Sequence, residues 1–164
     1  MRYLLIVLAF VFGPINTDCV IASEAEDLHQ YYVSYFDGKW IFEQGGTETV
    51  IECEDKGSYN HCSGFGGQLN ELWGYDPVRK AWAAHGRGGD KVWEWVMDQH
   101  KGDAIKAGVS LSNVGKLWHP DGTEVSRKQL YTIVDDNSFE VQTWEQQDGQ
   151  EEIVEPLVRA RRVQ

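Results

Sequence analysis

From Gly38 onward, the sequence alternates between short runs rich in Val, Ile, Trp, Tyr and Thr and clusters of Gly, Asp and Asn. Runs of this kind are typical of antiparallel strands, because β-branched and aromatic side chains fit a pleated sheet. The clusters between them are typical of hairpin turns. The pattern predicts ten strands: Lys39–Gln44, Glu48–Glu54, Tyr59–Phe65, Leu69–Tyr75, Ala81–Gly86, Val92–Asp98, Ala104–Ser112 (which Val114–His119 extends, with Gly115 as a bulge), Glu124–Val134, Phe139–Gln146 and Glu151–Arg161.

One helix is predicted before the strands, at Ser23–Phe36, where Ser23 can cap the first turn and apolar residues recur at helical spacing. With no second helix to cover a sheet face, ten meandering strands favour closure, which removes exposed sheet edges. The predicted fold is therefore all-β, a closed up-and-down antiparallel barrel of about ten strands with one N-terminal helix. A β-sandwich is the alternative. A barrel of more than eight strands encloses more room than its side chains readily fill, so a ligand is expected inside.

The N-terminus has the pattern of a secretory signal peptide. Arg2 precedes an apolar run, and Val20-Ile21-Ala22 offers small residues at a cleavage position. The apolar run is too short for a membrane anchor, and the polar residues before Cys19 disfavour a lipoprotein. Residues 1–22 are therefore predicted to be cleaved, leaving a single barrel domain at 23–164 that is secreted or periplasmic and not inserted in a membrane.

The chain of 164 residues carries a formal net charge of −11. A field of this sign repels nucleic acid and anionic lipid headgroups. Nucleic-acid binding is therefore not expected, and the expected partner is a small, mostly apolar molecule. The chain itself is expected to be a monomer or a homodimer.

Cys53 and Cys62 are predicted to form a disulfide, because an even pair of cysteines in an exported chain is usually bridged. A four-residue hairpin loop at 56–59 places the two cysteines opposite each other on adjacent strands. Two free buried thiols are the alternative.

The stretch "ELWGYDPVRKAW" places large aromatics around one turn. If Pro77 to Lys80 form the loop, Tyr75 lies opposite Trp82, and Glu71 and Trp73 share their face. A slip by one residue would instead move Trp82 to the other face. In the preferred register, one carboxylate lies among three aromatics, and burial in apolar surroundings raises the pKa of such a group.

Three more residues complete the predicted ligand site. Trp95 shares a face of its strand with Trp93 and Met97, whereas Arg127 and Tyr131 share a face of the eighth strand. Arg127 is the expected cationic group inside, as a partner for Glu71 or for a ligand carboxylate. The predicted ligand-binding set is Glu71, Trp73, Tyr75, Trp82, Trp95, Arg127 and Tyr131.

The sequence marks no metal site, cofactor or catalytic residue. Its five histidines lack paired metal-ligand spacing, and its Gly-rich stretches join strand to strand instead of opening a helix as a phosphate-binding loop does. No cofactor and no metal are therefore expected.

Four short motifs in order resemble a large family of uncharacterised bacterial proteins, a domain of unknown function with a calycin-like, lipocalin-type barrel. They are Gly38-Lys39-Trp40, Gly74 to Pro77, Pro120 to Gly122, and Tyr131 before Asp135-Asp136. The resemblance runs from about Tyr35 to Arg161 and implies a barrel with an internal cavity. It implies no activity and no catalytic residues. A haem-binding relative would need an inward histidine, and His61 or His85 meets that need in one register only.

Three functional hypotheses follow. The first is an exported barrel that binds a small, mostly apolar ligand in an aromatic-lined cavity. The second is an isomerase- or lyase-type enzyme that uses Glu71 in the same cavity. The third is a module that binds sugars or proteins through surface tryptophans, which requires at least two of Trp82, Trp93, Trp118 and Trp144 on one exposed face.

Overall fold

The computed structural model describes residues 32–57, 59–76, 78–79, 81–99 and 105–164. These residues form a short helical segment at 32–36, a 3-10 helix at Phe65–Gly67 and eleven strands. The predicted signal peptide and residues 23–31 of the predicted helix lie outside the described residues. The strands are β1 (Gly38–Gln44), β2 (Thr47–Asp55), β3 (Asn60–Gly64), β4 (Leu69–Asp76), β5 (Ala81–Gly88), β6 (Lys91–Gln99), β7 (Ser110–Trp118), β8 (Glu124–Asp135), β9 (Ser138–Gln147), β10 (Ile153–Val154) and β11 (Val158–Arg162).

The strands close into a barrel. Each strand from β1 to β9 pairs antiparallel with the next, and β11 pairs with both β9 and β1. The short β10 pairs with β9 at Trp144 and Glu145, beyond the residues of β9 that pair with β11. The predicted ten-stranded closed antiparallel barrel is confirmed, with β10 as an additional strand.

Two strand predictions need correction. The seventh strand is Ser110–Trp118, and residues 105–109 form a turn, with the Val109 amide donating to the Lys106 carbonyl. Gly115 is not a bulge, since it pairs in continuous register with Trp95 and Arg127. The predicted last strand is interrupted at 155–157, where Pro156 has no amide hydrogen to donate to a ladder.

The predicted hairpin registers are confirmed. Cys53 pairs with Cys62, and their sulfur atoms form a disulfide of 2.04 Å. Closing a loop of this length restricts the unfolded chain and contributes about 2–3 kcal/mol to stability. At the next hairpin, Tyr75 pairs with Trp82 as the preferred register requires, and the slipped register is wrong.

The helical segment fills one end of the barrel. Tyr32 and Val33 are each 1% exposed. The Phe36 ring lies 5.3 Å from the rings of both Trp73 and Phe139, and the Trp82 ring lies 5.4 Å from that of Tyr32. The segment thus supplies apolar side chains that the strands of a wide barrel cannot supply alone. We call this end the closed end.

Arg162 connects the helical segment to the last strand. Its guanidinium donates hydrogen bonds to the carbonyls of Tyr35 and Asp37 and lies 4.4 Å from the centroid of the Trp40 ring. The Trp40 indole N–H in turn donates to the Phe36 carbonyl at 2.9 Å. These contacts satisfy carbonyls at the end of the helical segment, which would otherwise lack partners in the helix.

Most of the apolar core lies at the closed end of the barrel, whereas the buried Leu117 and Val125 lie toward the other end. One cluster contains Tyr32, Val33, Cys53, Cys62, Trp73, Trp82, Ala84, Met97 and Leu111. The other contains Trp40, Ile133, Phe139, Val141 and Ala160. The barrel therefore has a buried aromatic cluster at one end, and the character of its other half determines what the protein can bind.

Candidate functional site

Three charged residues face the interior in the other half of the barrel, which we call the open half. Glu71 lies two residues before Trp73 on β4, and Arg127 shares the inward face of β8 with the buried Val125 and Ile133. Glu145, on β9, pairs with Arg127 across the strands. Strand alternation thus directs charge into the barrel beyond the apolar core.

Glu71 accepts hydrogen bonds from two tryptophans of β6. The Trp93 Nε1 lies 2.6 Å and the Trp95 Nε1 3.2 Å from the same carboxylate oxygen, Oε2. Indole N–H groups are neutral donors, so these bonds satisfy the carboxylate without balancing its charge.

Gly86 makes the Trp93 contact possible. It pairs with Glu71 on one side and with Trp93 on the other, because β5 separates β4 from β6. A Cβ atom at Gly86 would lie 2.3 Å from the Trp93 Nε1. The absence of a side chain therefore lets the indole lie across β5 and reach the carboxylate.

Arg127 has Glu145 as its nearest carboxylate. The Arg127 Nε lies 3.1 Å from Glu145 Oε1 but outside hydrogen-bond geometry, so the pair is held by charge. The expected direct pairing of Arg127 with Glu71 is not observed, although the guanidinium is close enough to act on the Glu71 charge. The positive charge of Arg127 is thus balanced by Glu145. We call Glu71, Arg127 and Glu145 with the two indoles the charged layer.

Neutral polar groups lie next to the charged layer inside the barrel. The Gln129 amide lies 3.5 Å from the Thr143 hydroxyl. Asn113, which pairs with Gln129 across β7 and β8, is 3% exposed, and within the described residues its Oδ1 has no hydrogen-bond partner. A buried acceptor left without a donor costs about 1–3 kcal/mol. The interior therefore offers an acceptor that a ligand can use.

Burial raises the pKa of the Glu71 carboxyl. Glu71 as a whole is half-buried, but its carboxyl group lies on the buried side, and desolvation is the largest influence on its pKa. The hydrogen bonds from Trp93 and Trp95, and then the charge of Arg127, oppose this effect. The pKa of the Tyr131 phenol is raised for the same reason, with the Glu71 charge adding to it.

Solvent reaches the charged layer but not the core. Glu71, Trp93, Trp95, Arg127 and Glu145 are all half-buried. In contrast, Trp40 and Trp82 at the closed end are each 1% exposed. Leu117 and Val125, which pair with each other one inward position beyond Gly115 and Arg127, are also buried, so apolar side chains flank the charged residues on the side away from the helical segment.

The structure divides the predicted ligand-binding residues between the two halves. Glu71, Trp95 and Arg127 come together in the open half, and the Tyr131 ring stacks on that of Phe139 at the edge of the core. Trp73, Tyr75 and Trp82 pack around the aromatic cluster of the closed end. Their contact with a ligand stays a prediction.

Sequence reasoning missed Trp93, Glu145 and Gly86 as members of the site. Trp93 had been placed on the same face as Trp95, so the missing information was the register between strands. A glycine opposite both a glutamate and a tryptophan is the signal that would have identified this contact, once β5 is paired with both neighbours.

The outer surface of β6–β9 has a concave region of about 500 Å³, whose lining also includes Trp95 and Arg127 of the site. Its lining includes the outward residues Val96, Val114, Lys128 and Trp144. The Lys128 ammonium lies 5.9 Å from the Trp144 ring centroid. Like Trp144, Trp118 faces outward and is partly exposed, whereas Trp82 is buried and Trp93 faces inward.

Neither histidine named for a haem-binding relative faces the interior. His61 pairs with Leu72, and His85 with Leu72 and Glu94, all on the outer face. Among the described residues, no group of three or more His, Cys, Asp or Glu side chains is arranged to hold a metal ion. No helix in the same residues is long and apolar enough to span a membrane.

Comparisons with known proteins give little further guidance. No protein-family model matches the chain, and no curated protein matches its sequence. Among solved structures, Treponema pallidum Tp0751 (pallilysin) is similar with a TM-score of 0.35 and 13% identity, over 93% of this chain and 100% of that one. A similarity at this level carries no argument about function, and membership of the calycin-like family stays a prediction.

Replacing Gly86 with alanine should displace Trp93 from Glu71, because the new Cβ would overlap the indole. We expect G86A to lower the free energy of unfolding by about 1–3 kcal/mol in urea titrations. Alanine restricts the unfolded chain more than glycine, so without the overlap the change would be neutral or stabilising. The outward neighbour variant H85A should change stability by less than about 0.5 kcal/mol. Equal stability of G86A and the unchanged protein would contradict this contact.

Replacing Glu71 with glutamine should change how stability depends on pH. The raised pKa means that the folded protein holds this proton more tightly than the unfolded chain. The stabilisation is therefore complete below the unfolded pKa and is lost as pH rises through the folded pKa. Glutamine still accepts from the indoles but does not ionise. Melting curves should show that the stability of E71Q, relative to that of the unchanged protein, increases from acidic to neutral pH. The control is E52Q, on the outer face, which should show no such increase. A difference independent of pH would contradict the buried carboxyl.

Proposed function

We propose that this protein binds a small amphipathic molecule in the open half of its barrel. The observation that carries the proposal is the Glu71 carboxylate, which is desolvated and held by two indole N–H groups, on a residue that is itself only half-buried. Concave sites with a few converging polar groups among aromatic side chains are typical of small-molecule binding.

The free-energy cost of placing charged groups inside the barrel supports a functional role for them. A carboxylate inside a barrel loses hydration, and apolar residues of similar volume would fill the space at lower cost. Perturbed ionisable groups cluster at functional sites for this reason. The Asn113 Oδ1, which has no hydrogen-bond partner in the described part of the chain, adds a second group that gains a partner when a ligand binds.

The ligand contacts follow from the layering of the barrel. Trp93, Trp95, Glu71 and Arg127 would surround the polar part of the ligand. Tyr131 would lie at the base of the site, with Trp73, Tyr75 and Trp82 behind it as the packed floor. This arrangement keeps the predicted residues in the site but assigns the first contacts to the β6 tryptophans.

We also propose that the protein acts outside the cytoplasm, secreted or periplasmic. The Cys53–Cys62 disulfide supports this location, since such bonds persist in oxidising compartments. Membership of the calycin-like family is part of the same proposal. It is supported by the closed antiparallel barrel, which the resemblance implies.

The raised pKa of Glu71 favours a second candidate function, an isomerase- or lyase-type enzyme in which this carboxyl transfers a proton. General acids and bases work best when their pKa lies near the operating pH, and burial moves a glutamate in that direction. The enzyme reading requires that a ligand recovered from the protein be altered on incubation with the unchanged protein and not with E71Q.

Native mass spectrometry of the protein purified from its own host tests the binding proposal. We expect an extra mass that disappears on denaturation and that the double variant W93F/W95F loses, because phenylalanine cannot donate to Glu71. The outward variant W118F is the matched control and should keep the extra mass. Equal retention by W93F/W95F and W118F would contradict a site in the open half.

A further inference from the structure

The charges inside the open half leave one negative charge without a cation in contact. Arg127 and Glu145 form a pair at 3.1 Å, and the described contacts of the Glu71 carboxylate are the neutral N–H groups of Trp93 and Trp95. When Glu71 is ionised, its charge is thus hydrogen-bonded but not balanced.

Two acceptors and one donor in this half lack a hydrogen-bond partner or face none of the described donors: Glu71 Oε1, Asn113 Oδ1 and Arg127 Nε, the last of which lies beside the Glu145 carboxylate. Trp93 and Trp95 donate to Oε2 of Glu71, so Oε1 faces neither indole donor. Asn113 contributes a carbonyl oxygen that no described donor reaches. A ligand group that contacts Glu71 and Asn113 must supply hydrogen-bond donors, and the Glu145 carboxylate beside Arg127 disfavours an anionic group there.

The charge of the protein around the open half also favours a cationic ligand. The chain has a formal net charge of −11, and the loop after β9 adds Asp148, Glu151 and Glu152 on the side of the barrel away from the helical segment. Lys91 is an exposed cation at that side. An acidic field of this kind raises the local concentration of cations near the opening.

We infer that the ligand is an organic cation, an alkyl or aryl amine whose ammonium group donates to Glu71 and whose apolar part packs against the β6 tryptophans. The inference rests on the proposed binding function and names its ligand class. The ammonium supplies the charge that Glu71 lacks, and the indole rings supply apolar surface beside it.

Three probes of equal chain length test this ligand class: octylammonium, 1-octanol and octanoate. Binding is followed by tryptophan fluorescence and by calorimetry at about pH 8, where an alkylamine stays protonated. We expect octylammonium to bind at least about tenfold more tightly than 1-octanol, with octanoate weakest, as a charge-assisted hydrogen bond predicts.

Two variants with the same net charge distinguish the effect of the Glu71 carboxylate from the effect of the overall negative charge of the protein. E71Q should lose the preference for octylammonium while binding 1-octanol within about threefold of the unchanged protein. E52Q removes an exposed carboxylate on the outer face and should keep the preference. The order of the three probes on the unchanged protein tests the inference even if E71Q folds poorly.

The outcomes distinguish this inference from the proposed function. Octanol or octanoate binding as tightly as octylammonium, or equal loss of preference in E52Q and E71Q, would overturn the cationic ligand and leave the binding site in place. Absence of binding by all three probes up to about 1 mM would overturn the cationic ligand as well. If native mass spectrometry also showed no bound mass, the binding function itself would fail.

Discussion

The structure depends on how the interior of a wide barrel is filled. Ten strands enclose more space than their own inward side chains can occupy, and the helical segment 32–36 fills one end. Arg162 fixes that segment by capping its carbonyls and lying over Trp40. The segment fills one half only, so charged side chains can occupy the other half. The barrel is therefore divided into an apolar core at one end and the candidate site at the other.

Gly86 on β5, the strand between β4 and β6, sets the geometry of the open half. Gly86 lets the Trp93 indole cross β5 and reach Glu71, and Gly115 lets β6 and β7 approach at Trp95, where a Cβ would lie 2.0 Å from the Glu94 carbonyl oxygen. The site is thus built on paired strands instead of loops, which holds donors and acceptors in fixed positions. Rigid placement of this kind lowers the ordering cost when a ligand binds.

Local chemistry in the sequence was enough to predict the strands, the barrel, the disulfide and the Tyr75–Trp82 pairing, because turn residues and alternation are encoded over a few positions. The errors lie where long-range pairing decides. Ala104–Ser112 contains strand-forming residues, yet the strand begins at Ser110, where the alternation of Leu111, Asn113 and Leu117 meets β6 and β8. The partner of Arg127 was likewise undetermined, since Glu145 becomes its neighbour only through the β8–β9 register.

The aromatic residues around the Asp76 turn illustrate the same limit at the site. Their shared face was predictable, but Trp73 and Trp82 face the helical segment, so they pack in the core. Trp93 and Trp95 come closer to a ligand, because they belong to the charged layer. Proximity to the segment that fills the barrel thus decides which tryptophans are accessible, and strand alternation alone does not contain that information.

The most direct test of this division is the solvent accessibility of each tryptophan. The chain has seven tryptophans, and fluorine NMR of the 5-fluorotryptophan-labelled protein, assigned with single phenylalanine variants, resolves them individually. A soluble paramagnetic agent should broaden the signals of Trp93 and Trp95 together with those of the outward Trp118 and Trp144, and leave Trp40, Trp73 and Trp82 sharp. Protection of Trp93 and Trp95 equal to that of Trp82 would show a barrel filled at both ends and contradict the open half.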